Sequence, residues 1–313
     1  MRAVAVTAFG EKPQLMDLPQ PEPGPGEVLV RMASAGLNPV DWKIADGLFK
    51  DVAEYSFPLI LGVDGSGEVA EVGEGVRSFT PGDAVYGRFS LPGKGGGSYA
   101  EYALALETEV AHAPRSITYA TSAAVPTAGT TAYNLVEETR SGGGKRLLVV
   151  GGTGGVGTFV TQLAAARGAE VIVSARTVNA DLMRNMGAAA TIDHTEGSLV
   201  EQLLQAHPDG VDVLIDLVSD PAEFTDLLRV VREGGTAVST IGSADVDLLT
   251  DRELRGFNFV NRPSPELLEI LADQLDAGRL TVLVSDEVPL EEAPEALETS
   301  RSGRARGKTV VVF

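Results

Sequence analysis

The first 115 residues alternate short apolar runs with turn-forming residues, a pattern typical of β-strands. Runs such as AVAVTAF, EVLVRMASAGL and GDAVYGRF are separated by Gly, Pro and Asp. After about residue 118, short buried-type strands alternate with amphipathic helices: RLLVVGG precedes a helix over residues 153–167, and EVIVSAR precedes a helix that ends at NMGA. Strands that alternate with helices predict a parallel, doubly wound sheet, so the expected fold class is α/β.

The C-terminal segment returns to the β-rich pattern of the first segment. A helix over residues 264–277 precedes strands in LVSDEVPL and GKTVVVF. We therefore expect the middle of the chain to be an inserted domain. In this interpretation residues 1–121 and 263–313 form one domain and residues 122–262 form the other. At 313 residues the chain is long enough to fill two such cores.

Composition excludes several classes of function. Asp and Glu outnumber Lys and Arg by 44 to 25, and the formal charge of −19 disfavours binding to nucleic acids and to anionic membranes. The chain has no cysteine, which excludes disulfides, thiolate catalysis and thiolate metal sites. No stretch reaches the roughly 18 apolar residues of a membrane helix, and the N-terminus lacks the apolar core of a signal peptide. These features predict a cytoplasmic protein.

The clearest chemical motif is VVGGTGGVGTFV at residues 149–160, which has five glycines between residues 151 and 157. Its G-x-G-x-x-G pattern follows a predicted strand and opens a predicted helix, as in dinucleotide-binding turns. Free N–H groups and the positive end of the helix bind phosphates there without basic side chains. A glycine-rich turn without a ligand is the alternative. The predicted cofactor-binding residues of the turn are Gly152, Thr153, Gly154, Gly155, Val156 and Gly157.

The end of the second strand predicts which dinucleotide binds. NAD-selective sites place an Asp or Glu there for the ribose 2′-hydroxyl. In this chain the strand ends at Ser174 and Arg176, and no acid follows until Asp181. A hydroxyl and a guanidinium suit a 2′-phosphate, because arginine stays charged and binds phosphate bidentately. These residues predict NADPH, and a surface arginine without a ligand is the alternative.

Six motifs resemble, in order, those of the medium-chain dehydrogenase/reductase superfamily. They are similar in particular to its zinc-free quinone oxidoreductases and its alkenal and enone reductases. The resemblance implies a GroES-like catalytic domain from both termini and an inserted Rossmann domain, together with a homodimer or homotetramer commonly paired through the edge strand FNFV. The motifs are AGLNPVDWKIADG (35–47), GVDGSGEVAEVGEGVRSFTPGDAVYG (62–87), GSYAEYA (97–103), VPTAGTTAY (125–133), GGTGGVG (151–157) and SGRARGKTVV (302–311).

The chain departs from zinc-dependent members of the superfamily at the metal positions. Those members carry Cys at the position of Asn38, His at that of Val63, and four further cysteines in a structural lobe. The three histidines here are not spaced as ligands, so no metal site is predicted. Without a Lewis acid, alcohol oxidation loses its usual stabilisation of an alkoxide. Reduction of a conjugated carbonyl needs less help, because the charge delocalises into an enolate or hydroquinone.

The resemblance also implies roles for residues outside the glycine turn. It places Asn38, Asp41 and Lys43 at the catalytic site, where Lys43 could donate a proton or bind the nicotinamide ribose. For Asp41 and Lys43 the alternative is a structural ion pair. Phe49 and Tyr55 are expected to form an apolar wall for a planar substrate, or else to pack the domain.

Three further cofactor contacts are expected in the same way. Thr127 would contact the nicotinamide, with helix capping as its alternative role. Gly242 follows the fifth strand of the middle domain, where the carboxyl ends of parallel strands face the ligand. Arg304 would lie near the cofactor phosphate, and a solvated charge is its alternative.

The predicted function is that of an NADPH-dependent oxidoreductase. It would transfer a hydride to a quinone or to the C=C bond of an α,β-unsaturated carbonyl without zinc, in class EC 1.6.5 or 1.3.1. The expected partner is therefore a small-molecule quinone or enone. Two alternatives stay open: an enoyl-thioester or biosynthetic tailoring reductase, and a non-catalytic NADPH-binding protein.

Overall fold

The computed structural model describes residues 1–303 and 307–313. Within these residues the strands are β1 (Arg2–Val6), β2 (Gln14–Asp17), β3 (Glu27–Gly36), β4 (Leu59–Ile60), β5 (Asp64–Val72), β6 (Ala84–Arg88), β7 (Tyr102–Leu106), β8 (Val110–His112), β9 (Arg146–Val150), β10 (Glu170–Ser174), β11 (Ala190–Ile192), β12 (Val211–Asp216), β13 (Val231–Ser239), β14 (Arg255–Asn258), β15 (Val284–Pro289) and β16 (Lys308–Val312). The α-helices described are α1 (Pro39–Ala45), α2 (Tyr119–Ala123), α3 (Pro126–Glu138), α4 (Gly155–Ala166), α5 (Ala180–Asn185), α6 (Leu199–Ala206), α7 (Pro221–Leu227), α8 (Val246–Asp251), α9 (Pro265–Asp276) and α10 (Ala293–Arg301).

The chain divides into two compact units. Unit 1 comprises Met1–Thr130 and Pro263–Phe313, and unit 2 comprises Thr131–Arg262. The second boundary lies between Arg262 and Pro263. The first lies after Thr130 rather than after residue 121, and it falls within α3. The change of hydrophobic rhythm that suggested the earlier position marks the start of α2, which belongs to unit 1.

Unit 1 is the β-rich unit. Its larger sheet has the order β15-β16-β3-β5-β6-β8, with β7 also paired to β3, and a smaller sheet has the order β2-β1-β4. β16 pairs antiparallel with β3 and parallel with β15, so the C-terminal strands complete a sheet that the N-terminal strands begin. Part of the core also combines both ends of the chain, because Val4 and Tyr99 share a buried cluster with Leu297.

Unit 2 is a six-stranded sheet with the order β11-β10-β9-β12-β13-β14, in which all neighbours are parallel. This is the doubly wound order of a Rossmann domain, so the predicted fold class is confirmed. The chain reverses its direction across the sheet between β9 and β12. In such sheets, ligands bind outside the carboxyl ends of the strands at this reversal.

The helices that sequence reasoning passed over in unit 2 are short. Ser198 caps the N-terminus of α6, since its side chain accepts a hydrogen bond from the amide of Glu201, and the helix buries Val200 and Leu203. Asp245 caps α8 in the same way. With so few turns, each helix shows too little of its apolar period to be recognised. Among the described residues, no helix has both the length and the apolar composition needed to cross a bilayer.

Candidate active site and cofactor-binding site

The glycine turn connects β9 to α4, and the structural reason for glycine differs among its positions. Gly151 has φ 81°, a conformation that favours glycine. A Cβ on Gly152 would lie 2.1 Å from Val173 Cγ1 of β10, and one on Gly157 would lie 2.5 Å from Gly152 Cα. These two glycines therefore allow the turn, strand and helix to pack closely. A Cβ on Gly154 would have Gly151 O, at 3.4 Å, as its nearest neighbour, so this glycine leaves open space.

The start of α4 has the properties of an anion-binding site. Gly154 precedes the helix with φ −77° and ψ 171°, and no side chain caps it. The first N–H groups of any α-helix have no carbonyl partner within the helix, which here applies to Gly155 and Val156. They lie at the positive end of a helix that extends to Ala166. The predicted phosphate-binding turn thus has the required local geometry.

A cavity of about 390 Å³ opens beside the glycine turn, within the size range of small-molecule sites. Gly151 and Thr153 line it from the turn, Ser174 from the end of β10, and Val218 and Ser219 from the segment after β12. The cavity therefore lies at the carboxyl ends of the strands on both sides of the reversal. The open space beside Gly154, the uncapped start of α4 and this cavity together fit a dinucleotide.

The polar residues at the end of β10 fit a phosphate on the ribose. Ser174 is buried, and its Oγ lies 3.3 Å from Nδ1 of His194, which also lines the cavity. The Arg176 side chain is exposed, and no described residue pairs with its guanidinium. The first acid after β10, Asp181, pairs instead with Arg184 at 2.8 Å. His194 was missed by sequence reasoning, and its position two residues after the end of β11 was the available signal.

Two further predicted cofactor contacts have less structural support. Gly242 lies in the exposed segment after β13, with φ 88°, and a Cβ there would have no neighbour within 4 Å. Its place beyond the carboxyl end of a strand agrees with the prediction, and its contact with a cofactor stays a prediction. Arg304 lies outside the described residues.

In unit 1, Asp41 is buried at the start of α1, with 0% of its surface exposed. Its Oδ2 accepts hydrogen bonds from the Asn38 amide at 2.7 Å and from the Tyr99 hydroxyl at 2.8 Å, and its Oδ1 accepts one from the Val63 amide at 3.1 Å. Burial raises the pKa of Asp41 to about 7, although the hydrogen bonds from Asn38 and Tyr99 act to lower it. These contacts hold the start of α1 against the segments that precede β5 and β7.

Asn38 links Asp64 to a buried lysine. Its Nδ2 donates to Asp64 Oδ2 at 2.9 Å, and its Oδ1 accepts from Lys308 Nζ at 2.6 Å. Lys308 also donates to Leu37 O at 2.8 Å. Asp64 and Lys308 are 0% and 5% exposed, respectively. Burial raises the pKa of Asp64 and lowers that of Lys308, and the attraction between the two charges opposes both shifts.

Asp64 also holds the beginning of α3. The Thr127 amide donates to Asp64 Oδ2 at 2.9 Å, and the Thr127 hydroxyl donates to Asp64 Oδ1 at 2.6 Å. A carboxylate at this position satisfies an unpaired amide of the first turn and interacts favourably with the helix dipole. Asp64, rather than the Thr127 side chain, therefore supplies the acceptor for the first turn of α3. The contact of Thr127 with the nicotinamide stays a prediction, and its half-buried side chain lines a small recess with Asp64.

The remaining predicted residues of unit 1 do not join this cluster. Lys43 is half-buried, with Nζ 5.6 Å from the ring centroid of Trp42, and the expected alternative of an Asp41–Lys43 ion pair is wrong. Residues two apart on a helix face different directions. Tyr55 packs edge-to-face on Phe9 with centroids 5.1 Å apart, which is the packing role proposed as its alternative. Phe49 is half-buried, and its contact with a substrate stays a prediction.

The residues at the metal positions of the superfamily do not fit a zinc ion. Asn38 and Val63 replace the Cys and His ligands, and the chain has no cysteine. The Lys308 ammonium lies against Asn38 and would repel a divalent cation. Among the described residues, no group of three or more His, Asp or Glu side chains is arranged to hold a metal.

Three residues of the polar cluster were missed by sequence reasoning: Asp64, Tyr99 and Lys308. All three belong to motifs that resemble the family, but no role was assigned to them. The signal was a charged residue at the beginning of an apolar strand, as in Asp64 of β5 and Lys308 of β16. Which of these charges would be neighbours depends on the pairing of β3 with both β5 and β16, which the sequence does not show.

Comparison with known proteins supports the family suggested by the motifs. The chain matches the model of the alcohol dehydrogenase GroES-like domain over residues 24–115 and that of zinc-binding dehydrogenases over residues 186–311. It is 30% identical to the chloroplastic quinone-oxidoreductase QR1 of Triphysaria versicolor, over 99% of this chain and 98% of that protein. The chain belongs to the medium-chain dehydrogenase/reductase superfamily.

Other members of the superfamily agree with this assignment. The chloroplastic NADPH-dependent alkenal/one oxidoreductase of Arabidopsis thaliana is 32% identical, with 93% of this chain and 73% of that protein covered. The solved structure of the quinone oxidoreductase from Coxiella burnetii superposes with a TM-score of 0.89 at 29% identity, over 100% of this chain and 99% of that one. The match to the zinc-binding dehydrogenase model therefore indicates membership of the superfamily and not a zinc site, since residues 38 and 63 differ from the zinc ligands.

Proposed function

We propose that the protein is an NADPH-dependent reductase that transfers a hydride to a quinone or to the C=C bond of an α,β-unsaturated carbonyl compound, without zinc. The observation that carries this proposal is the cavity of unit 2, where the glycine turn lies beside Ser174. Arg176 follows at the end of the same strand, without a partner among the described residues. An arginine and a hydroxyl at this position favour a 2′-phosphate over a free 2′-hydroxyl.

The class of acceptor is supported by the named relatives and by the chemistry of unit 1. One relative is a quinone oxidoreductase and another is an NADPH-dependent alkenal/one oxidoreductase. The metal positions carry an amide and an apolar side chain rather than zinc ligands. A conjugated acceptor suits such a site, since its own π-system accepts the electron pair that arrives with the hydride.

NADPH, when bound, would supply the hydride. The N–H groups at the start of α4 would bind its pyrophosphate, and Ser174 and Arg176 its 2′-phosphate. Asn38 and Thr127 are proposed to serve the reacting end of the cofactor, Asn38 by holding Asp64 and Thr127 by direct contact. After hydride addition at the β-carbon, the electron pair of the C=C bond moves to the carbonyl oxygen. Protonation at the α-carbon completes the reaction, and Lys43 or solvent would supply that proton.

The proposal is tested by initial rates with NADPH and NADH against quinones, 2-alkenals, cyclic enones and enoyl thioesters. We expect NADPH consumption with quinones or enones and little with saturated aldehydes. Turnover limited to enoyl thioesters would favour a thioester reductase. NADPH binding without turnover of any acceptor would refute the catalytic proposal and favour a binding protein.

Assembly and location stay predictions. A homodimer or homotetramer paired through β14 is supported by the position of this strand at the edge of the sheet, since edge strands offer unpaired N–H and C=O groups. Light scattering after size exclusion tests it. A cytoplasmic location rests on the composition alone.

A further inference from the structure

Lys308 carries a buried positive charge in unit 1. It is 95% buried at the first position of β16, and the two described hydrogen bonds of its ammonium are to Leu37 O and Asn38 Oδ1. A buried ammonium costs considerable free energy unless it is paired with an opposite charge. Two buried carboxylates, Asp41 and Asp64, attract it. The proposed function so far gives this lysine no role.

The contacts form a continuous chain from Lys308 to Thr127. Lys308 donates to Asn38 Oδ1, Asn38 Nδ2 donates to Asp64 Oδ2, and Asp64 accepts both the amide and the hydroxyl hydrogen of Thr127. Three donors therefore face the two oxygens of Asp64 at 2.6 to 2.9 Å. A protonated carboxyl would need an acceptor for its own hydrogen, so this arrangement suits the carboxylate form alone.

The ionisation of Asp64 determines how Thr127 can bind a ligand. A hydroxyl has one hydrogen to donate and two lone pairs that accept. Because the hydrogen of Thr127 points to Asp64 Oδ1, its free lone pairs can only accept. If Asp64 became protonated, it would compete for those lone pairs, and the hydroxyl could turn its hydrogen toward the ligand. Thr127 as an acceptor would select an N–H or O–H group of the cofactor.

We propose that Lys308 is a positioning residue whose buried ammonium, acting through Asn38, keeps Asp64 a carboxylate and thereby fixes Thr127 as a hydrogen-bond acceptor for the cofactor. The contact between Thr127 and the cofactor rests on the proposed function, whereas the coupling of Lys308 to Asp64 does not. The groups whose charge acts on Asp64 or which line its recess are Lys308, Asp41, Tyr99, Arg88 and Glu109.

The first test replaces the charge with an apolar chain of similar length, Lys308→Met, and measures NADPH affinity between pH 6 and pH 8.5. Without the ammonium, the pKa of Asp64 rises further, because the attraction that opposes the effect of burial is lost. We expect binding close to wild type at pH 8.5 and about tenfold weaker at pH 6, the effect of one misdirected hydrogen bond. Asp64→Asn, which imitates the protonated form, should bind weakly at every pH. Lys12→Met, an equal charge change at an exposed lysine, should follow the wild type.

The second test uses the melting temperature of the cofactor-free protein. Its expected pH dependence is opposite to that of the NADPH affinity. In Lys308→Met, the folded state favours a protonated Asp64, so the contribution of this group to stability is lost as the pH rises. The variant should therefore lose melting temperature relative to wild type from pH 6 to pH 8.5, while its NADPH affinity recovers. A purely structural lysine would lower both together at every pH, and that result would overturn the proposal.

Two further measurements keep the outcome decisive. If Lys308→Met does not fold, the double variant Lys308→Met with Asp64→Asn removes both buried charges, and it should fold and bind NADPH weakly without pH dependence. Affinity of the double variant equal to wild type would overturn the proposal. If the wild type binds no NADPH, the proposed function fails, yet the opposite pH dependence of the melting temperature still tests the coupling between Lys308 and Asp64.

Discussion

The glycines of the turn after β9 separate packing from ligand access, and two alanine substitutions should show this. In Gly157→Ala, the new Cβ would meet Gly152 Cα at 2.5 Å and Gly151 O at 2.6 Å, both backbone atoms that cannot rotate away. The helix must therefore move from the turn. Overpacking of this kind costs about 1–3 kcal/mol. For a domain of this size, that predicts a melting temperature lower by roughly 2–12 °C.

Gly154→Ala should behave in the opposite way. Its nearest neighbour would be Gly151 O at 3.4 Å, and φ −77° is allowed for alanine. We expect the melting temperature to change little, within about 0.5 kcal/mol of unfolding free energy. The methyl group would occupy the space beside the helix start that a pyrophosphate needs. NADPH should therefore bind at least about tenfold more weakly, equivalent to roughly 1.4 kcal/mol.

The assay pairs scanning fluorimetry of the cofactor-free protein with an NADPH titration by calorimetry. Gly93→Ala is the matched control, because its Cβ would have Glu54 O at 3.9 Å as its nearest neighbour, in the other unit of the chain. It should change neither quantity. If Gly154→Ala lowered the melting temperature as much as Gly157→Ala and left NADPH affinity intact, the turn would have only a structural role.

Three other predictions follow from charges. Arg176→Ala should raise the KM for NADPH at least about tenfold and leave the KM for NADH nearly unchanged. The control Arg184→Ala should change neither KM. An equal increase of both KM values in Arg176→Ala would remove the 2′-phosphate argument. The pKa of Asp41 rises from 3.8 to about 7 on folding, so its stabilising contribution is lost as the pH rises toward that value. The melting temperature of the wild type minus that of Asp41→Asn should therefore fall from pH 5 to pH 8, and a rise would contradict the assigned direction. Because a protein of net charge −19 repels a polyanionic cofactor, moderate salt should increase the association rate of NADPH in stopped-flow experiments, and a steep decrease would indicate a dominant basic steering surface.

The sequence predicted best those features that depend on neighbouring residues along the chain. The alternation of strands and helices in residues 146–258 identified the doubly wound sheet, and the spacing from Gly152 to Gly157 identified the turn. Ser174 and Arg176 could be proposed as cofactor-binding residues because they lie at and just beyond the end of a recognisable strand. In each case the chemistry lies within one strand-turn-helix unit, so no knowledge of strand pairing was needed.

The features that were missed depend on long-range pairing. Lys308 and Asn38 are 270 residues apart in the chain, and they meet because β16 pairs with β3. The same dependence explains why the alternative role considered for Asp41 was an ion pair with Lys43 and not a hydrogen bond with Tyr99. The sequence shows that residues 41 and 43 are two positions apart on one helix. It does not show that the Tyr99 hydroxyl, from a segment between two strands, lies beside Asp41. Asp64 was overlooked for the same reason.

Charge placement explains why an acidic chain can serve an anionic cofactor. The positive end of α4 and the guanidinium of Arg176 act only at short range, since salt screens exposed charges beyond roughly 10 Å. They can therefore hold phosphates without requiring a basic surface. Lys308, in contrast, is buried, so salt screens its charge only weakly. This charge attracts the carboxylates of Asp41 and Asp64. A weakly screened cation inside unit 1 can thus set the protonation of Asp64 although the protein carries many more exposed acids.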